Sequence, residues 1–341
     1  MMNEAGIEGP CTVADLFPSS IDGIADSYRE DALLSKAWPI SLMVLGMLAC
    51  RSGHTAGTLE RGPCDDTLTA HIPARPVDAP SGREFLQRIA GLDGDAREIL
   101  IREQLLAGNV PHFLRHLQPV RFEALRADGH LSQITLCVAP DYLAIGSDSD
   151  FVLMPMRLET ALQTADHFGF TLPTPKMVDA IYQQASVHYA PQPLPAGDTM
   201  RSTAYYQIHN ELIDGQRANL GASTGELSAG DKKDLVITAR LWQHLDRVAI
   251  YGWHMTFVHP IQPLSTLHGW HYADYSHGAR LVSLEAFADG VRRSLLDILQ
   301  DPQLAGAVSS EGAIPQLVEL LDALSTMHTA PAARYIETPA R

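Results

Sequence analysis

The sequence predicts an α+β protein in which helices pack on a small mixed or antiparallel sheet. Capped stretches with helical spacing occur at 81–107 and 158–186, and short β-rich runs occur at 131–154 and 247–252. After Val282 the apolar spacing turns helical again. Among 341 residues, 45% are hydrophobic and 19% charged, an ordinary composition for a globular chain. The formal charge of −15, from 25 Lys+Arg against 40 Asp+Glu, argues against nucleic acid as a partner, because phosphate recognition needs a basic face. No apolar run reaches the roughly 18 residues of a spanning helix.

Ser81-Gly82-Arg83-Glu84 has the form of a capping box, with Phe85, Ile89 and Leu92 following at helical spacing. A second helix over 95–107 ends at Gly108-Asn109. Residues 131–144 alternate as a strand pair interrupted at Pro140-Asp141, and Phe151–Met154 is a further short strand. Between them lies the polar turn Gly146-Ser147-Asp148-Ser149-Asp150, which lacks the mid-loop Gly and terminal Glu of a calcium loop and reads as an Asx-rich turn. Helices are expected over 158–168 and 175–186, the second opened by Thr174-Pro175. Arg247–Gly252 reads as a buried strand, 284–299 as a helix with Arg292 and Arg293 outward, and 314–327 as an amphipathic helix.

The expected organisation is an N-terminal extension (1–50), a linker (51–80), a helical α+β lobe (81–190), a catalytic α+β lobe (191–328) and a loose tail (329–341). Lys36 is followed by a mostly apolar run closing on Met47-Leu48-Ala49-Cys50. That close resembles the lipobox of bacterial lipoprotein signal peptides. The resemblance implies a lipid anchor at Cys50, membrane contact through that anchor only, and a periplasmic or outer-surface location. Acidic residues upstream, such as Asp22, Asp26, Glu30 and Asp31, depart from a short basic leader, and a buried helix in a cytoplasmic protein is the alternative. Of the four cysteines, Cys64 and Cys137 could form one disulfide in an oxidising compartment, or be scattered thiols.

The chemistry concentrates late in the chain. Seven of the fifteen histidines fall between 209 and 277, and five of them lie in 253–280 together with Asp274, Arg280 and several aromatics. His268, His271 and Asp274 recur every three residues and carry the donor types of catalytic zinc. Ser265-x2-His268-x5-Asp274 is similar to the S-x-H-x6-D pattern of the D-Ala-D-Ala metallopeptidases of bacterial walls, out of register at both intervals. Ser276-His277-Gly278-Ala279-Arg280-Leu281, with His268-Gly269 upstream, resembles the S-H-G-C-x-R signature of the peptidoglycan L,D-transpeptidases. The nucleophilic Cys is absent and the segment is one residue short, so thiolate chemistry is not expected.

A metal-free acid/base site is the other reading: Ser265 or Ser276 with His268 or His277, oriented by Asp274. Arg280 and Lys233 would bind a substrate carboxylate or the oxyanion, while Lys232 is expected to be solvated. Trp253, His254, Trp270, Tyr272 and Ser265 are the candidate substrate contacts, with large core residues as the plain alternative for the aromatics. His209-Asn210 reads as an ordinary helix surface that could add a polar pair. The functional expectation is a hydrolase of the cell envelope, metal-dependent if zinc is bound, cleaving an amide or peptide bond in peptidoglycan. Its rivals are a glycan-active enzyme pairing Asp274 with Asp234 or Asp148, and a non-catalytic ligand-binding lipoprotein.

Overall fold

The computed structural model describes residues 62–326 except 93, 257 and 258. The lipobox-like stretch ending at Cys50 and the tail after 326 lie outside the described residues. The elements in order are α1 (Gly82–Ile89), α2 (Gly94–Leu106), β1 (Gln118–Leu125), β2 (Leu131–Val138), β3 (Ala144–Ser147), β4 (Asp150–Leu153) and α3 (Leu158–Phe168). Then come β5 (Phe170–Thr171), α4 (Pro175–Gln184), β6 (Val187–His188), α5 (Thr203–Leu220), β7 (Ser228–Ala229), β8 (Lys233–Leu235) and β9 (Ile250–Thr256). The chain continues through β10 (His259–Ser265), β11 (His277–Gly278), β12 (Val282–Ala288), β13 (Val291–Ser294), α6 (Leu295–Gln300), α7 (Ala305–Val308) and α8 (Leu317–Thr326). This is the α+β class that the sequence predicts.

Local signals start several helices where expected. The Ser81 hydroxyl accepts from Glu84 N at 3.3 Å, and the Glu84 carboxylate accepts from Ser81 N at 2.9 Å, closing the capping box of α1. Thr174 caps α4 by accepting from Met177 N at 3.2 Å, with Pro175 in the first turn. Asp150, in the polar turn, accepts from Arg83 N at 3.0 Å at the start of α1.

Two sheets organise the chain. The larger is antiparallel, in the order β1-β2-β12-β13, with β5 also on β12. The second runs β10-β9-β8-β11, and its β8–β11 pair is parallel. Side chains of β2 (Ile134, Leu136, Val138) and β12 (Val282, Ala286) are buried in a continuous core with Phe168 of α3 and Ile298 of α6. Each of the larger of these side chains contributes about 1.5–3 kcal/mol on burial. The larger sheet and the β6–β7 pair each join strands from both sides of the boundary expected near 190, whereas the second sheet lies wholly after it.

Three expectations need correction. The helix expected over 284–299 is the hairpin β12–β13 followed by the shorter α6. Asp289 and Gly290 take φ of 52° and 78°, a two-residue turn of the kind Asp-Gly favours between strands. The strand pair expected within 131–144 is two separate hairpins, β2 pairing back to β1 and β3 pairing on to β4. Finally, the described part of the expected linker is docked. Cys64 is disulfide-bonded to Cys137 in β2, Leu68 and Ile72 are buried, and Arg75 donates to Asn109 and to the carbonyl of Gly146. No helix among the described residues is long and apolar enough to cross a membrane.

Candidate active site

The site grows from the short parallel pair β8–β11, in which His277 is in register with Lys233 and Gly278 with Asp234. A Cβ at 278 would lie 2.6 Å from the Tyr142 ring and 2.9 Å from Lys232 Cβ, so the strands approach this closely only because residue 278 is glycine. Side chains alternate across a strand. Lys233 accordingly reaches the Trp253 ring, its Nζ 4.9 Å from the centroid, while Asp234 meets the Tyr142 hydroxyl.

Before β11 the chain makes an Asx turn. Asp274 Oδ1 accepts from Ser276 N at 2.8 Å and from Ser276 Oγ at 2.5 Å, and its carbonyl accepts from His277 N at 3.1 Å. The other carboxylate oxygen accepts from Tyr272 OH at 3.0 Å and lies 3.9 Å from His277 Nε2. That last separation is an electrostatic contact and is too long for a hydrogen bond. His277 is wholly buried, and neither of its ring nitrogens has a hydrogen-bond partner among the described residues. Tyr272, with its ring 5.6 Å from that of His277, is half-buried, and His268 stacks on its outer face at 3.9 Å and 8°. The His268–Tyr272 stack thus lies on the outer side of the buried His277.

The charges explain which forms are present. Burial alone would push Asp274 up, but His277, Lys233 and the two Ser276 bonds outweigh it and hold the carboxyl at about 2. Burial brings His277 down to about 4 against the pull of Asp274, with Lys233, His268 and Lys232 adding to the fall. Burial likewise lowers His268, assisted by Lys233 and opposed by Asp274. The Tyr272 phenol is raised by burial and by the carboxylate it donates to. At neutral pH the pair is thus a carboxylate facing a neutral imidazole.

Behind it lies a residue the sequence reading misplaced. Lys232 is not solvated: its ammonium is buried and donates to Tyr275 O at 2.8 Å and to His209 Nδ1 at 3.1 Å. Burial lowers the lysine to about 8, with Asp231 and Asp274 opposing, and lowers His209 to about 2. His209 and Asn210 are both buried on α5 rather than displayed on its surface. Asn210 ties α5 to β4 by accepting from Leu153 N at 2.9 Å.

The remaining expected residues are dispersed. Arg280 is wholly buried and turned toward Ala139 O (2.9 Å) and Ser228 O (2.7 Å), with its guanidinium 4.3 Å from the Tyr142 ring centroid. It clamps β7 to the segment after β2. Beside it Asp234 is pushed up by burial to about 7, against Arg280 and the Tyr142 bond. Asp148 accepts from Phe113 N at 3.1 Å, beyond the β3 hairpin end, so it forms no pair with Asp274 there. His271 is exposed with Nδ1 3.7 Å from Asp95, and Trp270 beside it stands under the Arg157 guanidinium at 5.9 Å. The trio His268, His271 and Asp274 is therefore not gathered, and among the described residues no group of three or more His, Cys, Asp or Glu could hold a metal ion.

His254 is buried and turned toward α4, its Nε2 2.9 Å from Asp179 and its ring stacked on Tyr182 at 4.7 Å. Trp253 is a core residue with φ of 57°, its indole donating to Asp231 O at 2.9 Å. A non-glycine side chain in that region costs on the order of 1–3 kcal/mol, which the packing around the ring must offset. Ser265 in β10 is half-buried and accepts from Leu267 N at 3.4 Å. Ser276, whose hydroxyl donates to Asp274, is oriented away from nucleophilic use with an imidazole. No family model matches the chain, and neither a curated protein nor a solved structure is similar to it.

Proposed function

We propose that the protein is a hydrolase of the bacterial cell envelope, cleaving an amide or peptide bond in peptidoglycan with Asp274 and His277 as its acid/base pair. The observation that carries this reading is His277: a wholly buried imidazole with both nitrogens unbonded, facing a carboxylate already fixed by Ser276 and Tyr272. An unsatisfied buried polar group costs about 1–3 kcal/mol, and such groups call for a functional explanation.

In the proposed step the neutral His277 imidazole takes a proton from a water as the water oxygen bonds to the substrate carbonyl carbon. Asp274 stabilises the imidazolium so formed, and the exposed His268, stacked on Tyr272, polarises the carbonyl oxygen. Collapse of the tetrahedral intermediate breaks the C–N bond, and His277 returns its proton to the leaving amine. The imidazole carries this step, since His271 of the zinc trio turns to Asp95.

The proposed location is the periplasm or outer surface, with the chain held by lipid on Cys50. The Cys64–Cys137 disulfide supports an oxidising compartment. Incorporation of labelled palmitate that disappears in Cys50→Ala tests the anchor.

The activity test is digestion of purified sacculi by the purified protein, with released fragments identified by mass spectrometry. His277→Gln is expected to lower release by about 10²–10⁴-fold. Turnover unchanged in that variant, or no release by the wild type, would remove the reading. Loss of activity on dialysis against a chelator would reinstate a metal in the step.

A further inference from the structure

One peptide group in the site is held at its two ends by opposite charges. The peptide joining Tyr275 to Ser276 presents its carbonyl oxygen to the Lys232 ammonium at 2.8 Å, and its N–H donates to Asp274 Oδ1 at 2.8 Å. A cation at the oxygen and an anion at the N–H favour the same orientation of the peptide dipole, and hydrogen bonds chained in this way strengthen one another. The same carboxylate faces His277 through its other oxygen, at 3.9 Å, where the Tyr272 hydroxyl also donates. Lys232 thus stands one peptide group away from the carboxylate that meets the imidazole.

The surroundings of Lys232 fix its place. Its carbonyl accepts from Trp253 N at 3.1 Å, and the next residue, Lys233, donates its N–H to Ser276 O at 2.7 Å. Residues 232 and 233 therefore take two successive carbonyls of the turn, that of Tyr275 by a side chain and that of Ser276 by the backbone. Glycine at 278 leaves the room, since a Cβ there would lie 2.9 Å from Lys232 Cβ. From α5, His209 accepts from the ammonium through Nδ1 at 3.1 Å, with its ring 5.0 Å from that of Tyr275. Neither acceptor of the ammonium is a carboxylate. A buried cation in that setting is costly to keep, and an apolar residue of similar volume would fill the space without the cost.

We infer that Lys232 is a positioning residue for the acid/base pair: through the Tyr275–Ser276 peptide it holds the Asp274 carboxylate toward His277, with His209 aiming the ammonium. Lys232 bonds neither Asp274 nor His277 and acts through the peptide between them. Its effect on turnover rests on the hydrolase reading, whereas its hold on Asp274 rests on hydrogen bonds alone.

The experiment compares the wild-type full chain with Lys232→Met, both labelled with nitrogen-15 and observed by NMR, and measures turnover of purified sacculi by each. Loss of the ammonium is expected to move the Ser276 amide proton upfield, as its bond to Asp274 weakens. It is also expected to lower kcat about tenfold or more with KM unchanged, the factor that a charge-assisted hydrogen bond supplies. A lysine that served stability alone would leave the Ser276 signal and the kcat of the folded variant where they are. The chain has four lysines, so their ammonium signals can be assigned one by one. In the wild type the Lys232 ammonium is expected to exchange with water far more slowly than that of Lys233.

An unmoved Ser276 amide or an undiminished kcat in Lys232→Met would overturn the inference. So would a wild-type Lys232 ammonium that exchanges as fast as that of Lys233, a measurement that needs no variant to fold. No release from sacculi by the wild type, with the Ser276 amide displaced in Lys232→Met, would remove the hydrolase reading and leave the hold on Asp274 standing.

Discussion

The imidazole of His277 stands 3.9 Å from the carboxylate of Asp274, and no described group hydrogen-bonds either of its nitrogens. Burial brings this histidine down to about 4, so it is neutral and able to accept a proton through the whole neutral range. A solvent-exposed histidine would protonate near 6.5. Turnover is therefore expected to hold at pH 5.5 and to fall only as the pH drops through about 4, where the base becomes an imidazolium. A pH profile of kcat/KM checks this. An acid limb centred above 6 would show that another base is at work.

The disulfide Cys64–Cys137 spans 73 residues of sequence and fastens the segment before α1 to the middle strand of the large sheet. Closing a loop of that length removes entropy from the unfolded chain worth about 4 kcal/mol. The Cys64→Ala/Cys137→Ala double variant should unfold at lower urea with a free energy reduced by up to that amount. Alkylation followed by mass spectrometry should find no free thiol at either position in the wild type. Identical urea midpoints with and without the pair would contradict the account.

Arg280 serves stability rather than substrate. Its guanidinium is wholly buried, donates to Ala139 O and Ser228 O, and sits over Tyr142, which in turn donates to Asp234. Arg280→Lys keeps the charge but cannot fork across two carbonyls, and Arg280→Met leaves Asp234 without its cation. Losses of about 3 kcal/mol or more are expected for Arg280→Met and somewhat less for Arg280→Lys. Urea denaturation measures both. An Arg280→Met protein as stable as the wild type would mean that Asp234 is neutral and needs no partner.

How far the sequence reveals this fold depends on the range of each signal. Ser81, Glu84 and Thr174 act within one helical turn, so their caps can be read directly and are found. The β12–β13 hairpin was also written locally, in Asp289-Gly290, but the apolar spacing across 284–299 mimics a helix and hides it. Asp128-Gly129, with φ of 81° at the glycine, marks the β1–β2 turn in the same way. At the site, the cluster in 268–277 was legible because its residues are close in sequence. His209, Lys232 and Tyr142 come from distant elements: β8, inserted between β9 and β11, carries Lys232 at its edge to His209 of α5 and Asp234 to Tyr142. Lys232 looks solvated in sequence because an acidic neighbour on one side and a lysine on the other resemble a surface run; only the parallel pairing with β11 puts it inside.

Asp231 offers the clearest test of what the buried charges cost. It is wholly buried, and neither carboxylate oxygen is hydrogen-bonded to another described residue. Burial, reinforced by Asp141, pushes it up to about 6 against the pull of Lys232 and Arg280. Below pH 4 the carboxyl is protonated in both the folded and the unfolded chain, and its contribution to stability is complete. Between pH 4 and 6 the unfolded chain ionises first, so the folded state loses stability, by about 3 kcal/mol once the pH has passed 6. Asp231→Asn lacks this titration. The unfolding free energy of the wild type minus that of Asp231→Asn is therefore expected to fall across pH 4–6 and to level off above. His209 and His277, both lowered by burial, slope the other way, but they do so equally in the two proteins and cancel in the difference. Parallel curves from pH 3.5 to 7 would show that Asp231 ionises in the fold as readily as in water.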